Sequence, residues 1–307
     1  MKRQLPAALA VLTALTLAGC GSGPAAPSAA PVGVSPSQDV VAGVTRSEAA
    51  AALLPADVRA AGSIRLGGAV GTAPTAYYPD PAKKEPAGLD VDLANAVARK
   101  LGLTVQREDA AFETILPALG SGKYDVGTGN FGVTTARLKT IDFVTYIDDG
   151  QGFGVRADNK QLTSVTDLVQ LCGLVVGTGA GTTFEATLNA RKDVCAQAGK
   201  KPYEVKSFSE NGAVVTGLQQ GRIDVVMSTI NGLRYQAAQP SANTRFLGEF
   251  HRLDVGFAFR KGSPLTPAFQ AAVNELIKDG SYQKILAKWG TADSAITESR
   301  INPPEHP

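Results

Sequence analysis

Short apolar runs alternate with helical patterns twice along the chain, and this repeated alternation limits the possible folds more than any other feature. The predicted strands lie at residues 63–68, 103–106, 124–128, 173–178, 203–208 and 223–227. The predicted helices between them lie at residues 90–101, 112–119, 182–191 and 211–220. Strands that alternate with helices form a mostly parallel sheet with helices on its faces. The sequence therefore predicts an α/β protein made of two successive units.

Two extended stretches, at residues 141–155 and 253–260, precede and follow the second unit. They predict a two-stranded hinge, by which the chain leaves the first unit and later returns to it. Helical patterns at 267–278 and 282–289 follow, and we expect them to pack on the first unit. The predicted division is lobe 1 at 48–150 plus 251–292, lobe 2 at 151–250, and a tail at 293–307. A cleft between the two lobes follows from this division.

The first twenty residues predict export. Lys2 and Arg3 precede an apolar run at residues 5–17, which is shorter than the about 20 residues that a bilayer-spanning helix needs. Residues 1–19 are therefore predicted to be a signal peptide. The run ends in Leu-Ala-Gly-Cys, which resembles the lipobox of bacterial lipoproteins and implies lipidation of Cys20. A plain signal peptide with a chance cysteine is the alternative.

Residues 20–47 are predicted to be a flexible tether behind this lipidated cysteine. The segment is rich in Pro, Ala, Ser, Gly and Val, and its only charged residues are Asp39 and Arg46. Such a segment buries too little apolar surface to offset the entropy lost on ordering. The expected location is the extracytoplasmic face of the cell membrane, with a lipid anchor.

Composition excludes several classes of function. The chain has 30 basic and 28 acidic residues in 307, and this balance gives no basic surface for nucleic acid. Its two histidines, His251 and His306, are too few for a histidine-based metal or Ser-His-Asp site, and we expect no metal or cofactor. Cys172 and Cys195 in an exported chain predict a disulfide, with two buried thiols as the alternative.

Six motifs together resemble a known family. They are GLDVDLANAVARKLGL (88–103), FETILPALGSGKYDV (112–126), ARLKTIDF (136–143), VGTGAGTTFE (176–185), GRIDVV (221–226) and KWG (288–290). In order and spacing they resemble the extracytoplasmic solute-binding proteins of family 3, which serve ABC importers of polar amino acids. The resemblance implies two Rossmann-like lobes that close on a ligand by hinge bending. It also implies a small-molecule ligand and a membrane permease as partner. We expect a monomer, because the sequence shows no obvious oligomer interface.

The resemblance implies ligand contacts in lobe 1. Arg137 aligns with the arginine that binds the ligand's α-carboxylate as a bidentate pair; a surface pair with Asp142 is the alternative. Phe112 aligns with an aromatic residue that packs on the ligand, and ordinary core packing is equally open. Asn130 and Gly132 stand where the family has Ser or Gly and Thr in its binding turn.

In lobe 2, Gly181, Thr182 and Thr183 match a turn at a helix N-terminus, where backbone N–H groups and the helix dipole favour an anion. Thr182 is also a candidate N-cap of that helix, and the two roles are compatible.

Two departures from the family pattern bear on specificity. Ala69 and Thr229 stand where acids commonly receive the ligand's α-ammonium, and Tyr77 and Tyr78 are displaced from the usual aromatic positions of the first loop. A buried ammonium with no acid is costly. We therefore expect a small carboxylate-bearing solute, such as an atypical or modified amino acid, with Phe112, Tyr77 and Tyr78 as possible stacking partners for a cation.

Three functions compete at this point. An importer receptor needs a closing cleft and a tether, and it is the function we expect. A cyclohexadienyl dehydratase-like enzyme needs a general acid in the cleft, for which Glu113 and Glu185 are the nearest candidates. A ligand-sensing module usually continues into a transmembrane helix, and we expect none after the final INPPEHP (301–307).

Overall fold

The computed structural model describes residues 36–306, so the predicted signal peptide, Cys20 and the first part of the tether lie outside the described residues. The strands are β1 (Ser63–Gly68), β2 (Thr104–Asp109), β3 (Val126–Gly132), β4 (Ile141–Arg156), β5 (Val175–Gly179), β6 (Glu204–Phe208), β7 (Val225–Thr229) and β8 (Thr244–Arg260). The α-helices are α1 (Glu48–Ala52), α2 (Ala56–Ala61), α3 (Leu89–Leu101), α4 (Phe112–Gly120), α5 (Thr183–Ala190), α6 (Val194–Gln197), α7 (Asn211–Gln219), α8 (Ile230–Ala237), α9 (Thr266–Lys278) and α10 (Ser281–Lys288). Short 3-10 turns lie at Arg137–Lys139, Leu168–Leu171, Pro240–Ala242 and Ala292–Ser294.

The strands form one continuous sheet in the order β2-β1-β3-β8-β4-β7-β5-β6. In lobe 1, β1 runs parallel to β2 and β3. In lobe 2, β5 runs parallel to β6 and β7. The predicted α/β fold, with two units of alternating strands and helices, is confirmed.

The two lobes are joined by the long antiparallel strands β4 and β8. Their pairing runs from Ile141 opposite Arg260 to Arg156 opposite Thr244, and it shifts register in three places. The second strand begins at Thr244, nine residues before the predicted start at 253. A search for apolar runs does not detect this part of the strand, because residues 245–252 include three charged side chains and are mostly only partly buried.

Each lobe has helices on both faces of its part of the sheet. In lobe 1 the larger core is packed around α3, α9 and α10, and a smaller core lies under α4. In lobe 2 one core lies under α5 and α6, and the other lies against α7 and α8. Asp92 on α3 accepts hydrogen bonds from Lys288 Nζ (2.8 Å) and Trp289 Nε1 (2.7 Å), so the closing helices are fixed to lobe 1.

The last residues of the predicted tether pack against lobe 1. Val41 and Val44 are buried in its larger core. Arg99 on α3 donates hydrogen bonds to the carbonyl oxygens of Ala42 (2.9 Å) and Val44 (3.3 Å). Average composition predicts a coil over this whole segment, but two valines at the right spacing are enough to attach its end to the lobe.

The predicted tail also contacts the folded body. Ser299 Oγ donates to the carbonyl oxygen of Thr145 (2.6 Å), and Arg300 Nη2 lies 2.7 Å from Asp254 Oδ2. Residues 299–302 therefore lie along the strands that join the lobes.

The structure joins Cys172 and Cys195 by a disulfide, with the Cα atoms 5.6 Å apart. The bond connects the end of the 3-10 turn Leu168–Leu171 to α6 in lobe 2. Within residues 36–306, no helix is both long enough and apolar enough to cross a bilayer.

Gly150 lies within the paired stretch of β4 and β8, opposite Arg252. Its φ of 154° suits glycine, and a Cβ at this position would lie 2.2 Å from the carbonyl oxygen of His251 and 2.7 Å from Cα of Arg252. Because backbone atoms rather than flexible side chains stand in the way, the strands must separate locally to accept a side chain.

We therefore predict that Gly150→Ala lowers the free energy of unfolding by about 1–3 kcal/mol. Urea unfolding of the full chain measures this change. Gly120→Ala, at the end of α4 with open space around the added methyl group, is the matched control and should leave stability within about 0.5 kcal/mol. Equal stability of the two variants would contradict the prediction.

Candidate functional site

A cavity lies between the lobes, at the carboxyl ends of β1, β3, β5 and β7. The ends of parallel strands are the usual place for a ligand in such sheets. Lobe 1 lines it with Ala69, Gly71, Thr72, Thr75, Ala76, Phe112, Gly129, Asn130 and Arg137. Lobe 2 lines it with Gly179, Thr182, Thr183, Phe184, Val214, Val215, Leu218, Val226, Met227, Ser228, Thr229 and Gln236.

Arg137 is the charged group of this cavity. Its Nη1 donates to the carbonyl oxygen of Gly132 (3.0 Å) and its Nη2 to that of Gly181 (3.1 Å), so the guanidinium contacts both lobes. The carbon of the guanidinium lies 5.7 Å from the ring centroids of both Phe112 and Phe131. Burial lowers the pKa of Arg137 to about 10, which leaves the group cationic at neutral pH.

The alternative partner considered for Arg137 is engaged elsewhere. Asp142 pairs with Lys261 (2.8 Å) and accepts a hydrogen bond from Asn302 Nδ2 (2.8 Å). Phe112 lines the cavity, and its ring also packs 4.7 Å from the ring of Phe131, measured between centroids.

Asn130 lines the cavity and donates hydrogen bonds to two buried carboxylates. Its backbone N–H donates to Asp90 Oδ2 (3.0 Å) and its Nδ2 to Asp149 Oδ2 (2.9 Å). Asp90 also accepts from the hydroxyl of Tyr146 (2.7 Å), and Asp149 from the backbone N–H of Asn231 (3.2 Å). Burial raises the pKa of each carboxyl from 3.8 to about 6, although these hydrogen bonds oppose the rise.

This network spans both lobes and the hinge, since Asp90 lies on α3, Asp149 on β4 and Asn231 on α8. Asn231 and Ser294 continue it by exchanging hydrogen bonds of 2.9 and 3.1 Å. Sequence reasoning missed both aspartates. The signal available was Asp149 inside the apolar run of β4, where an acid is buried only if it has partners.

The turn at the start of α5 is built around Thr182. Its hydroxyl accepts from the backbone N–H of Glu185 (3.2 Å) and donates to the carbonyl oxygen of Gly179 (2.7 Å), so Thr182 caps the helix. Thr182 and Thr183 both line the cavity. The N–H of Gly181 instead donates to the Glu185 carboxylate (2.8 Å), so this predicted anion contact is occupied by the protein itself.

The remaining predicted residues divide between the cavity and its surroundings. Thr229 lines the cavity, and its hydroxyl caps α8 by accepting from the backbone N–H of Gly232 (3.0 Å). Gly132 lies beside the cavity and contributes its carbonyl oxygen to Arg137.

Tyr77 does not line the cavity. Its ring packs 6.3 Å from that of Tyr235 and 6.2 Å from that of Trp289, measured between centroids, and so fills the junction between α8 and α10. Tyr78 donates its hydroxyl to Asp109 (2.5 Å) at the end of β2. Neither ring is placed to stack on a solute in the cavity, because both are held by partners outside it.

The buried acids predict a pH effect on stability. Because Asp149 has a pKa of about 6 in the fold and 3.8 as its ordinary value, the folded chain holds a proton between these pH values that the unfolded chain releases. Its contribution to stability is therefore full below about pH 4 and is lost as pH rises through about 6. Arg252 is the charged neighbour that opposes this shift.

We expect Asp149→Asn to remove this dependence, so that the difference in unfolding free energy between wild type and variant changes by on the order of 3 kcal/mol between pH 4 and 7. Urea unfolding at four pH values measures it. Glu108→Gln is the control, because Lys123 lowers the pKa of Glu108 and gives the opposite sign. A pH-independent difference for Asp149→Asn would contradict the prediction.

Comparison with known proteins identifies the family. Residues 64–292 match the family described as bacterial extracellular solute-binding proteins, family 3. The arginine-binding protein ArgT of Corynebacterium glutamicum is 29% identical over 217 residues, which cover 70% of each chain. The L-cystine-binding protein TcyJ of Escherichia coli is 28% identical over 209 residues, 67% of this chain and 75% of that one.

Solved structures agree with these sequence matches. An ancestral arginine-binding protein bound to arginine has a TM-score of 0.66 and 34% identity, covering 74% of this chain and 98% of its own. An ancestral amino acid-binding protein, AncCDT-1, described as a precursor of cyclohexadienyl dehydratase, has a TM-score of 0.66 and 26% identity, covering 76% of this chain and 97% of its own. The chain belongs to family 3 of the bacterial extracellular solute-binding proteins.

Proposed function

We propose that the protein is the substrate-binding component of an ABC importer, which captures a small amino-acid-like or carboxylate-bearing solute when its two lobes close. The observation that carries this proposal is the Arg137 guanidinium, a cation in the cavity that is bonded to carbonyl oxygens of both lobes. A guanidinium has five N–H donors in a fixed fork, which suits a carboxylate. The cleft between the lobes and the relatives named as amino-acid-binding proteins support the same reading.

The proposed mechanism starts with the carboxylate. It binds to the guanidinium of Arg137 in a partly desolvated cavity, where a charge-assisted hydrogen bond is stronger than in water. Gly132 and Gly181 hold the guanidinium from either side through their carbonyl oxygens. The N-terminus of α5, beside Thr182 and Thr183, adds the positive end of a helix dipole from lobe 2. Closure of the lobes therefore favours an anionic group at this point.

An α-ammonium group, where the ligand has one, is proposed to lie near Asn130. The Nδ2 of Asn130 is held by Asp149, which leaves the carbonyl oxygen of the same amide as the acceptor. The buried carboxylates of Asp90 and Asp149 add negative potential behind it, and their charge compensates for the missing acids at Ala69 and Thr229. In this proposal the ammonium contacts the Asn130 amide, and the carboxylates lie behind that amide instead of touching the ligand.

A dehydratase activity is the competing function, and the similarity to AncCDT-1 is the observation in its favour. Such an elimination needs a general acid that reaches the substrate. Within residues 36–306 the cavity lining contains no Asp, Glu or His. Glu185 accepts hydrogen bonds from Gly181 and Ser207 instead, and Glu113 lies outside the lining. The receptor reading therefore fits the residues better.

We further propose an extracytoplasmic location with a lipid anchor at Cys20 and a permease partner in the membrane. The lipobox-like sequence and the family support the location. Metabolic labelling with a fatty acid, compared between wild type and Cys20→Ser, tests the anchor.

We predict that Arg137→Ala weakens ligand binding by about 30-fold or more, because removal of one partner of a buried charge pair costs about 2–5 kcal/mol. Arg137→Lys keeps the charge but loses the planar fork, and we expect a smaller loss of about tenfold. A thermal-shift screen of amino acids and small carboxylates finds the ligand, since saturation at 100 times the dissociation constant adds about 2.7 kcal/mol. Calorimetry then measures the variants.

Arg156→Ala is the matched control, because Arg156 pairs with Asp158 at the surface of lobe 2, away from the cavity. It should bind the ligand as wild type does. Unchanged binding by Arg137→Ala would overturn the proposed carboxylate site, and turnover of prephenate or arogenate by the wild type would favour the dehydratase.

A further inference from the structure

We propose that the ligand's side chain is uncharged and apolar, and that it binds in a crevice of lobe 2 walled by Phe184, Val214, Val215, Leu218, Val226 and Met227. These six residues are called the apolar crevice below. The inference rests on the proposed function and deepens it by naming the class of solute. It departs from the relatives, whose names include arginine, cystine, glutamine and histidine.

The residues of the apolar crevice all line one cavity, with Met227 and Phe184 belonging to one core of lobe 2 and Val214, Leu218 and Val226 to the other. Val214, Val215 and Leu218 lie on consecutive turns of α7, and Val226 and Met227 lie on the adjoining β7. Phe184 lies in the first turn of α5. Leu218 and Met227 are 1% and 0% exposed, so their side chains are packed by the protein itself, and Phe184 and Val215 are the partly exposed members of the set. Arg137 lines the same cavity, so a solute held by its carboxylate can extend an apolar group into the crevice.

Charge excludes the alternative side chains. In the part of the chain that the structure describes, Arg137 is the only charged side chain in the cavity lining. A guanidinium or ammonium on the ligand's side chain would be desolvated with no carboxylate against it, and an isolated buried charge is costly. A second carboxylate would lack a second cation. The crevice therefore rejects both basic and acidic side chains.

The buried acids do not change this conclusion. Asp90 and Asp149 are wholly buried behind Asn130, and their oxygens accept from Asn130, Tyr146 and Asn231. They lie beside the proposed position of the α-ammonium and outside the lining of the crevice. Gln236 and Ser228 are neutral polar groups of the same cavity, and they leave the charge balance unaltered.

The test measures the affinity of the purified full chain for single solutes by calorimetry. The panel is L-leucine, L-methionine, L-phenylalanine, 4-methyl-2-oxopentanoate, L-arginine, L-glutamine and L-glutamate. We expect at least one of the first four to bind about tenfold or more tightly than each of the last three. Arginine, glutamine or glutamate binding as tightly as the best apolar solute would overturn this inference and leave the proposed function standing. No binding by any member, in this panel and in the wider screen of carboxylates, would overturn both.

Val215→Glu provides the second test, because it places a carboxylate in the apolar crevice. We expect it to weaken binding of the best apolar solute about tenfold or more and to raise the affinity for arginine relative to that solute. Ala213→Glu is the matched control, since it adds the same charge to α7 at a residue outside the cavity lining, and it should keep the wild-type order.

Circular dichroism checks that both variants are folded. If Val215→Glu does not fold, the order of wild-type affinities for the solute panel is the only test of the proposal. An unchanged order of affinities in a folded Val215→Glu would contradict the crevice as the side-chain site.

Discussion

The pairing of β4 with β8 is the constraint on which the rest of the molecule depends. These two strands are the only ones in residues 36–306 that run through both lobes, and they carry the sheet from β3 to β7. Residues at or near the carboxyl ends of β1, β3, β5 and β7 line the cavity. The cavity is a consequence of this arrangement. The parallel strands lie on either side of the antiparallel pair β4 and β8, and the segments that follow four of these strands meet at the cavity. The absence of a side chain at Gly150 lets the two strands lie close together at this position.

The charged side chains near the cavity are of opposite sign at its lining and behind it. One cation, Arg137, lies inside, and two carboxylates, Asp90 and Asp149, lie behind Asn130. A zwitterionic or anionic head group matches this arrangement, whereas a second charge on the solute has no counterpart. In the proposed function, charge determines which end of a solute binds at Arg137, and in the further proposal the apolar crevice determines what the other end is. Specificity in this reading comes from what the lining lacks as much as from what it contains.

The sequence was enough to predict the α/β alternation, the two lobes, the family and the gathering of Arg137, Phe112, Asn130 and Thr182 at one site. These features have local signals, in periodicity or in short motifs. The burial of Asp90 has no such signal, and that of Asp149 is indicated only by its position inside the apolar run of β4, because both depend on hydrogen bonds between α3, β3, β4 and α8. Tyr77 was placed at the ligand because an aromatic residue in a binding loop suggests stacking, yet Tyr235 and Trp289 offer it a packed site outside the cavity. The positions of these side chains depend on partners that are distant in the sequence, so the sequence alone does not predict them.

The attachment of residues 36–47 to α3 has a mechanical consequence. A membrane anchor ahead of residue 36 would pull on lobe 1 through Val41, Val44 and the bonds from Arg99, and the load would bypass the crossing strands. Lobe 1 would then be the stationary half relative to the membrane, and lobe 2 the half that swings. Thermal motion of the anchor would in this way be uncoupled from the opening angle of the cleft.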